Sequence, residues 1–500
     1  MIRQLALAFV ALAAATSAIA DPVPVRLDTG LVSGAGLPDG VLAFKGVPYA
    51  APPVGPLRWR PPQPAPRWDG MRAATAFGAV CPQAESRALP AGTAQSEDCL
   101  TLNVWAPPAA KGAPVMVWLH GGGDDTGTAS QPQFDGDVFA KDGVVFVSVD
   151  YRLGALGWFA HPALTKEAGP GAPLANYGLM DEIAALKWVK RNIAAFGGDP
   201  ARVTVAGESS GGQAVLFLLA TPAARGLFAQ AVVESGAGWG GFDDLAKAEA
   251  HGAALAAKAG APADATAEQL RALPVSALVA AGGGLGVTVD GRLVAATPSQ
   301  AFDAAREAKV PLLIGSNSGE DSLLEGSDPA NMLKDFAPDQ LTALRTAYGA
   351  EAPDDATLGR DIFRDEWMGA PARWFAARHS RAAPAWLYQF DYNPTVLRPR
   401  RTRASHGMEM LFVFAAMARA PLPLIAVGGD AAEMALVHGC WVAFVKTGKP
   451  GCPGGVTWPA YDPATDQTMV FGPDGAAAQA HFRKGPYDLL GAARDATQPR

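Results

Sequence analysis

The sequence predicts an α/β fold with a mostly parallel central sheet and helices on both faces. Apolar runs such as residues 144–149 and 310–314 have the length and composition of buried strands, and they alternate with longer helical patterns. This alternation is typical of sheets whose strands are joined by helices. A chain of 500 residues would by length alone suggest about three domains. The motifs that carry chemistry are spread over residues 118–409, however, and one fold has to bring them together, so we expect a single domain over residues 21–500.

Residues 1–20 are predicted to form a signal peptide. Arg3 precedes an uncharged apolar run over residues 5–12, and Ala18-Ile19-Ala20 stands before Asp21 as a small-residue cleavage site. The apolar run is shorter than the roughly 20 residues that a membrane span requires. We therefore expect cleavage after Ala20, no membrane insertion, and a secreted or periplasmic mature protein.

A strand-turn-helix element offers a nucleophile. Residues 203–206 are typical of a short buried strand and residues 213–219 of a helix, and between them Gly207-Glu208-Ser209-Ser210-Gly211 fits the pattern G-x-S-x-G. Such a turn exposes the serine hydroxyl and leaves the next backbone N–H free to bind an oxyanion. Ser209 is the candidate nucleophile, although the same pattern occurs in ordinary glycine-rich turns.

A second motif makes the ordinary turn less plausible. His120-Gly121-Gly122-Gly123 follows the apolar run 115–117 and matches the HGGG loop, whose backbone N–H groups complete an oxyanion hole. Glycine is needed there because a Cβ blocks close approach of a substrate carbonyl to the main chain. The two motifs also stand in the expected chain order. We assign the oxyanion hole to Gly121, Gly122, Gly123 and the N–H of Ser210, and leave open which two glycines donate.

The chain resembles the type B carboxylesterase family, the cholinesterase-like branch of the α/β-hydrolases, from about residue 23 to about residue 471. This resemblance implies an α/β-hydrolase fold with helical cap insertions and a serine esterase that needs no cofactor and no metal. It rests on the two motifs above and on segments 44–50, 52–55, 57–59, 97–104, 151–154, 176–181 and 192–200, which follow one another in the family's order.

A serine nucleophile needs a base, and the base needs an orienting carboxylate. The chain has seven histidines, and the order Ser, acid, His leaves five of them as candidates: His251, His379, His406, His438 and His481. Chain order cannot choose among these five. The resemblance selects His406, because residues 404–409 are similar to the family's histidine loop.

The acid follows the predicted strand 310–314. The family's Gly-x-Asn-x-x-Glu spacing points to Glu320, and Asp321 is the rival, since either carboxylate is able to accept the imidazole N–H. Ser235 matches a family serine that supports the acid. Glu208 and Trp239 complete the secondary site residues. Trp239 is a candidate for the acyl pocket, and a position in the core is the alternative, since tryptophan is usually a core residue.

Two positions depart from the family pattern. Asp124 and Asp125 follow the glycine loop where many relatives have an aromatic residue. A carboxylate there opposes developing negative charge, so Asp124 is expected to be exposed to solvent as an ordinary loop residue; a paired or substrate-orienting carboxylate is the alternative. The other position is Ser210, where relatives often have alanine, and the change should be mild because the contribution there is a backbone N–H.

Four cysteines fit an oxidising compartment and have no metal-site spacing. Three pairings are possible. The resemblance implies that Cys81 pairs with Cys99, which leaves Cys440 with the nearby Cys452.

Two further features of the sequence bear on a helical cap over the site and on the binding partners of the protein. Residues 243–281 are rich in alanine but place leucines on one face, which predicts helical cap material after the serine turn. With a net charge of −7 and no basic run, nucleic acid and anionic membranes are excluded as expected partners.

The sequence therefore predicts a carboxylic ester hydrolase that acts by acyl transfer on small or medium uncharged esters. A catalytically silent binding or adhesion relative is the first alternative. A hydrolase of thioester, lactone or amide bonds is the second. The natural substrate and the oligomeric state stay open.

Overall fold

The structure is a computed structural model that describes residues 23–86, 89, 92–236, 238–324, 326–420 and 424–497. The predicted signal peptide, residues 1–20, lies outside these ranges. Within them, no helix is both long enough and apolar enough to cross a membrane.

A single mixed sheet of 13 strands organises the described part of the chain. Its strands are β1 Val23–Arg26, β2 Leu31–Gly36, β3 Leu42–Pro48, β4 Met71–Ala73, β5 Thr101–Ala106, β6 Ala113–Leu119, β7 Val145–Val149, β8 Gly198–Glu208, β9 Gln230–Glu234, β10 Leu312–Asn317, β11 Ala385–Phe390, β12 Gln467–Gly472 and β13 Gly475–Ala480.

Helices fill the connections between these strands. The α-helices are α1 Asp137–Lys141, α2 Gly154–Gly157, α3 Pro162–Ala168, α4 Tyr177–Asn192, α5 Ser210–Ala220, α6 Leu245–Lys258, α7 Ala267–Arg271, α8 Val275–Ala280, α9 Pro298–Asp303, α10 Pro338–Tyr348, α11 Asp355–Arg364, α12 Ala370–His379, α13 Met410–Val413, α14 Asp430–Thr447 and α15 Lys484–Thr497. Short 3-10 segments lie at Gly55–Leu57, Pro132–Phe134, Ile193–Phe196, Pro222–Ala224, Glu320–Leu324, Pro329–Asp335, Gly349–Glu351, Met417–Arg419 and Pro453–Gly455, and a π-helical turn at Asp365–Gly369.

The centre of the sheet is parallel, as predicted. Strands β7, β6, β8, β9, β10, β11 and β12 are successive parallel neighbours, whereas β1, β2, β3 and β5 on one side and β13 on the other pair antiparallel. The carboxyl ends of the parallel strands therefore meet at one edge, where open α/β sheets bind their ligands. The loops after β6, β8, β9, β10 and β11 all leave from that edge.

Alternating side chains of the central strands pack on the two faces of the sheet. Val115, Val117 and Leu119 of β6 share a hydrophobic core with α4 and α5. Met116 and Trp118, between them, share the opposite core with α14. Because strands buried on both faces are apolar at every position, β6 is a continuous apolar run.

Helices α6 to α8 form the cap that the leucine pattern predicts. Leu255, Leu270 and Leu278 are buried, and Leu245 and Leu273 are partly buried. The glycine-rich loop 282–286 follows α8 and contacts the segment after the HGGG motif. There the Gly284 N–H donates to Asp125 Oδ2 at 2.9 Å.

The structure contains both expected disulfides. Cys81 is joined to Cys99, and Cys440 is joined to Cys452. Disulfide bonds persist in extracellular and periplasmic compartments, so the cross-links fit a protein of that kind.

Candidate active site

Ser209 lies on a sharp turn between β8 and α5. Its backbone φ is 57°, a left-handed conformation that costs a residue with a side chain on the order of 1 kcal/mol or more. The Ser209 N–H donates to the Glu234 carbonyl at 2.9 Å, which holds the turn against β9. Glycine is required beside it, because a Cβ on Gly207 would lie 2.4 Å from the carbonyl carbon of Gly211.

The glycine loop after β6 comes close to this serine. A Cβ on Gly121 would lie 2.9 Å from the Ser209 Cβ and 2.7 Å from the Glu208 carbonyl oxygen. Ser210 is the first residue of α5, where backbone N–H groups have no partner within the helix and the helix dipole favours negative charge. The loop and this helix N-terminus border one cavity beside the serine.

His406 and Glu320 meet although they are far apart in sequence. His406 Nδ1 lies 2.5 Å from Glu320 Oε2. The other carboxylate oxygen of Glu320 accepts from Ser235 Oγ at 2.5 Å and from the Asn317 N–H at 2.8 Å. Fully buried and bonded at both oxygens, Glu320 fixes the orientation of the ring. Asp321, the rival acid, lies beside an arginine instead, 3.9 Å from Arg403 Nη1.

The second ring nitrogen of His406 faces Glu208. His406 Nε2 and Glu208 Oε1 are 3.1 Å apart. Burial raises the pKa of Glu208 to about 7, although the charge of His406 opposes the shift. Burial by itself lowers the pKa of His406, but the carboxylates of Glu208 and Glu320 outweigh it and raise that pKa. When Glu208 is protonated it no longer favours the charged ring, so a larger fraction of the imidazole is neutral and able to act as a base.

Ser209 and His406 both line one cavity of about 710 Å³, within the usual range for small-molecule sites. Trp367 and Phe363 form an aromatic part of its wall, stacked with ring centroids 5.0 Å apart. The π-helical turn Asp365–Gly369 carries Trp367. The remaining lining is Gly122, Gly123, Asp124, Glu208, Ser210, Gln213, Leu323, Leu324, Ser327, Met368, Gly407 and Met410.

The profile of the carboxylesterase family matches residues 21–490. The chain belongs to the carboxylesterase family. The fumonisin B1 esterase of Sphingopyxis macrogoltabida is 35% identical to it over 481 residues, which cover 90% of this chain and 87% of the relative. The para-nitrobenzyl esterase of Bacillus subtilis (strain 168) is 35% identical over 462 residues, covering 86% and 91%.

Solved structures agree with this assignment. A PNB esterase matches with a TM-score of 0.83 at 31% identity and covers 93% of this carboxylesterase and 99% of its own chain. A carboxylesterase of Geobacillus stearothermophilus matches with a TM-score of 0.82 at 32% identity, covering 94% and 99%. The fold is the α/β-hydrolase fold, and ester hydrolysis is the activity of this carboxylesterase.

Asp124 departs from its sequence-based expectation. The expectation of solvent exposure is wrong, because Asp124 is only 6% exposed and lines the cavity. Burial raises its pKa to about 8, and the neighbouring charge of Asp125 adds to this shift. The cap loop 282–286 explains the burial, since a Cβ on Gly286 would lie 3.3 Å from Asp124 Oδ2.

Trp239 is a buried core residue, which is the alternative to the acyl pocket. Instead of the acyl pocket, it lies in the wall of a separate cavity between α12 and α15. The other four histidines allowed by chain order contact groups outside the cavity of Ser209: His251 contacts Asp243, His379 contacts Val310 and Glu307, His438 contacts Val413 and Asp142, and His481 contacts Asp466. In the described ranges, no three His, Cys, Asp or Glu side chains are arranged to hold a metal ion.

Two further buried carboxyl groups that sequence reasoning missed lie close enough to Glu208 for its charge to act on them. Glu234 Oε1 accepts from the Trp441 indole N–H at 2.7 Å, and Glu409 accepts from the Asn317 side-chain amide. Burial raises the pKa of Glu234 to about 8 and the pKa of Glu409 well above its usual range. Their signals in the sequence are weak: Glu234 precedes Ser235, and Glu409 follows His406 by three residues.

The pKa of Glu234 predicts an unusual dependence of stability on pH. In the unfolded chain this carboxyl ionises near pH 4.5, but in the folded chain it stays protonated until about pH 8. The unfolded state therefore gains stability relative to the folded state as the pH rises between these values. We expect Glu234→Gln to raise the free energy of unfolding by about 2–4 kcal/mol at pH 8 and by little at pH 4.5.

Urea unfolding at the two pH values measures this effect. Glu268→Gln, which removes an exposed carboxylate on α7, controls for the loss of one charge. A change in unfolding free energy that is equal at both pH values would contradict the protonated state of Glu234.

Proposed function

We propose that this carboxylesterase hydrolyses small or medium uncharged esters through an acyl-enzyme on Ser209, with His406 as general base and acid and Glu320 as the group that orients it. The observation that carries the proposal is the meeting of three loops at one cavity. An elbow serine and a histidine border the same space, and the histidine is 2.5 Å from a buried glutamate.

In the acylation step, Ser209 Oγ attacks the ester carbonyl carbon and His406 Nε2 takes the hydroxyl proton. The carbonyl oxygen becomes an oxyanion, for which two glycines of the 121–123 loop and the N–H of Ser210 are the proposed donors. Collapse of this intermediate breaks the bond to the alcohol oxygen. His406 returns the proton to that oxygen, so the alcohol leaves neutral.

In the deacylation step, water replaces the alcohol. His406 takes a proton from the water as its oxygen attacks the acyl carbon, and the same proton then returns to Ser209 Oγ as the carboxylic acid departs. Ser235 supports Glu320 through its hydrogen bond, and Glu208 lies on the far side of the ring. Both are proposed as positioning residues.

The cavity lining favours uncharged esters. The described lining residues include no lysine or arginine that would neutralise an anionic substrate. The Phe363–Trp367 pair offers an aromatic surface to an uncharged one. One relative is named for para-nitrobenzyl esters, so an aryl ester of this kind is a suitable first substrate.

We also propose that the protein is exported and that residues 21–500 form one catalytic domain. The two disulfides and the signal-like sequence of residues 1–20 support export. A single domain is supported by the origin of the site residues, which follow β6, β8, β10 and β11. No one segment of the chain contains the complete site, so these segments have to fold together.

Covalent labelling tests the nucleophile. An aryl phosphonate that phosphonylates activated serines should add one group per protein, on the peptide that contains Ser209, in parallel with loss of hydrolysis of p-nitrophenyl acetate. Heat-unfolded protein is the control, because its serines are no longer activated. A label on another serine, or full labelling without loss of turnover, would contradict the assignment. Absence of any ester turnover would favour the silent binding relative.

A further inference from the structure

The carboxyl group of Asp124 is a buried, unpartnered polar group in the wall of the catalytic cavity. Asp124 follows the oxyanion glycines directly and is 6% exposed. Its backbone carbonyl accepts from the Gly154 N–H at 2.7 Å, which fixes the main chain at this position. None of the described residues donates a hydrogen bond to its side-chain oxygens or forms an ion pair with them.

Buried polar groups are almost always hydrogen-bonded, because a buried group without a hydrogen-bond partner destabilises the fold by the full free energy of its desolvation. The groups around Asp124 do not remove this cost. Asp125 is adjacent, and Glu182 of α4 is close enough that the charge of Asp124 contributes to its raised pKa, after burial. All of these neighbours are acidic, so the partner of Asp124 has to come from outside the chain.

The position of Asp124 limits what that partner is. Ser209, Ser210, Gly122 and Gly123 line the same cavity as Asp124. A group that binds Asp124 therefore belongs to the same substrate molecule whose carbonyl reacts with Ser209. Because burial raises its pKa to about 8, the carboxyl group is mostly neutral near pH 7. In that state it adds little negative charge beside the oxyanion and still accepts a hydrogen bond.

We infer that Asp124 determines substrate specificity by binding a positively polarised group, a hydroxyl or an ammonium, on the ester substrate. This inference rests on the proposed function and deepens it: among uncharged esters it selects those with a hydroxyl on the acyl or the alcohol part, and it extends the substrate class to esters with an ammonium group there. Esters that carry a carboxylate are disfavoured at pH 8 and above, where ionised Asp124 and Glu208 repel them and the described lining residues include no lysine or arginine to neutralise them.

A matched series of esters tests the inference. The reference is butyl acetate, and the probes are its ω-hydroxyl, ω-trimethylammonium and ω-carboxylate derivatives; butyl butyrate with the same groups on the acyl part forms a second series. Hydrolysis is followed by pH-stat at pH 8. The measured quantity is kcat/KM of each probe divided by kcat/KM of its reference ester, for wild type, Asp124→Asn and Asp124→Leu.

The two variants separate the two sources of binding. Asparagine keeps an acceptor oxygen but has no charge, so the preference for the trimethylammonium ester should fall about tenfold in both variants. The preference for the hydroxyl ester should fall about tenfold in Asp124→Leu and persist in Asp124→Asn. Discrimination against the carboxylate ester should relax in both variants.

Asp125→Asn is the matched control. It keeps an acceptor for the Gly284 N–H and does not line the cavity of Ser209, so its ratio for the hydroxyl ester should stay within about twofold of wild type. Because it removes a charge that raises the pKa of Asp124, only this uncharged probe is used for the control. Thermal unfolding of every variant checks that the fold is intact.

Ratios unmoved within twofold in both Asp124 variants and in both series would overturn the inference. Failure of the proposed function has a different signature, since Ser209→Ala would then retain turnover of butyl acetate itself.

Discussion

Replacing Ser209 with alanine should lower kcat/KM for p-nitrophenyl acetate by about 10⁴-fold or more. The hydroxyl is the only group of this residue that the proposed acyl transfer uses, and its loss removes the covalent route. Folding should be unaffected, because the side chain is half-buried on a turn and contributes little to the core. Stopped assays of purified protein and thermal unfolding measure the two expectations.

Ser276→Ala, at an exposed serine of α8, is the matched control and should behave as wild type. Trace esterase from the expression host is monitored with a mock purification. If Ser209→Ala retains activity within tenfold of wild type after that correction, the nucleophile is a different residue.

Glu320→Gln should lower kcat by about 10³- to 10⁴-fold near neutral pH. The variant keeps the size of the side chain, but its amide is able to donate to His406 Nδ1, which favours the ring tautomer whose Nε2 carries the proton and therefore cannot accept one. The loss should appear in kcat rather than KM, because the buried glutamate does not line the cavity.

Asp321→Asn distinguishes the two candidate acids. This neighbour lies beside Arg403 and not beside His406, so its variant should keep kcat within about threefold of wild type. A large loss in Asp321→Asn together with a small one in Glu320→Gln would reverse the assignment.

The parts of the site that depend on local sequence were predictable. The turn at Ser209 needs a strand, small residues and a helix in immediate succession, and all three are visible in residues 203–219. The central parallel strands were equally clear, because strands buried on both faces are apolar throughout. The cap helices followed from the periodic leucines.

The parts that depend on distant contacts were not predictable from the residues alone. His406 meets Glu320 across 86 residues, and four other histidines satisfied chain order equally well, so only the family resemblance chose between them. Asp124 looks like a loop residue locally, and its burial comes from loop 282–286. The choice between core and acyl pocket for Trp239 stayed open for the same reason, since the helices beside it, α12 and α15, are remote in sequence.

The contact between the cap loop and Asp125 depends on a residue that has no side chain, Gly283. A Cβ on Gly283 would lie 1.9 Å from Asp125 Oδ2, so even alanine at this position requires the Asp125 side chain to move. Substitutions at residue 283 therefore act on the junction between the cap loop and the segment after the HGGG motif, and leave Ser209, His406 and Glu320 unaltered.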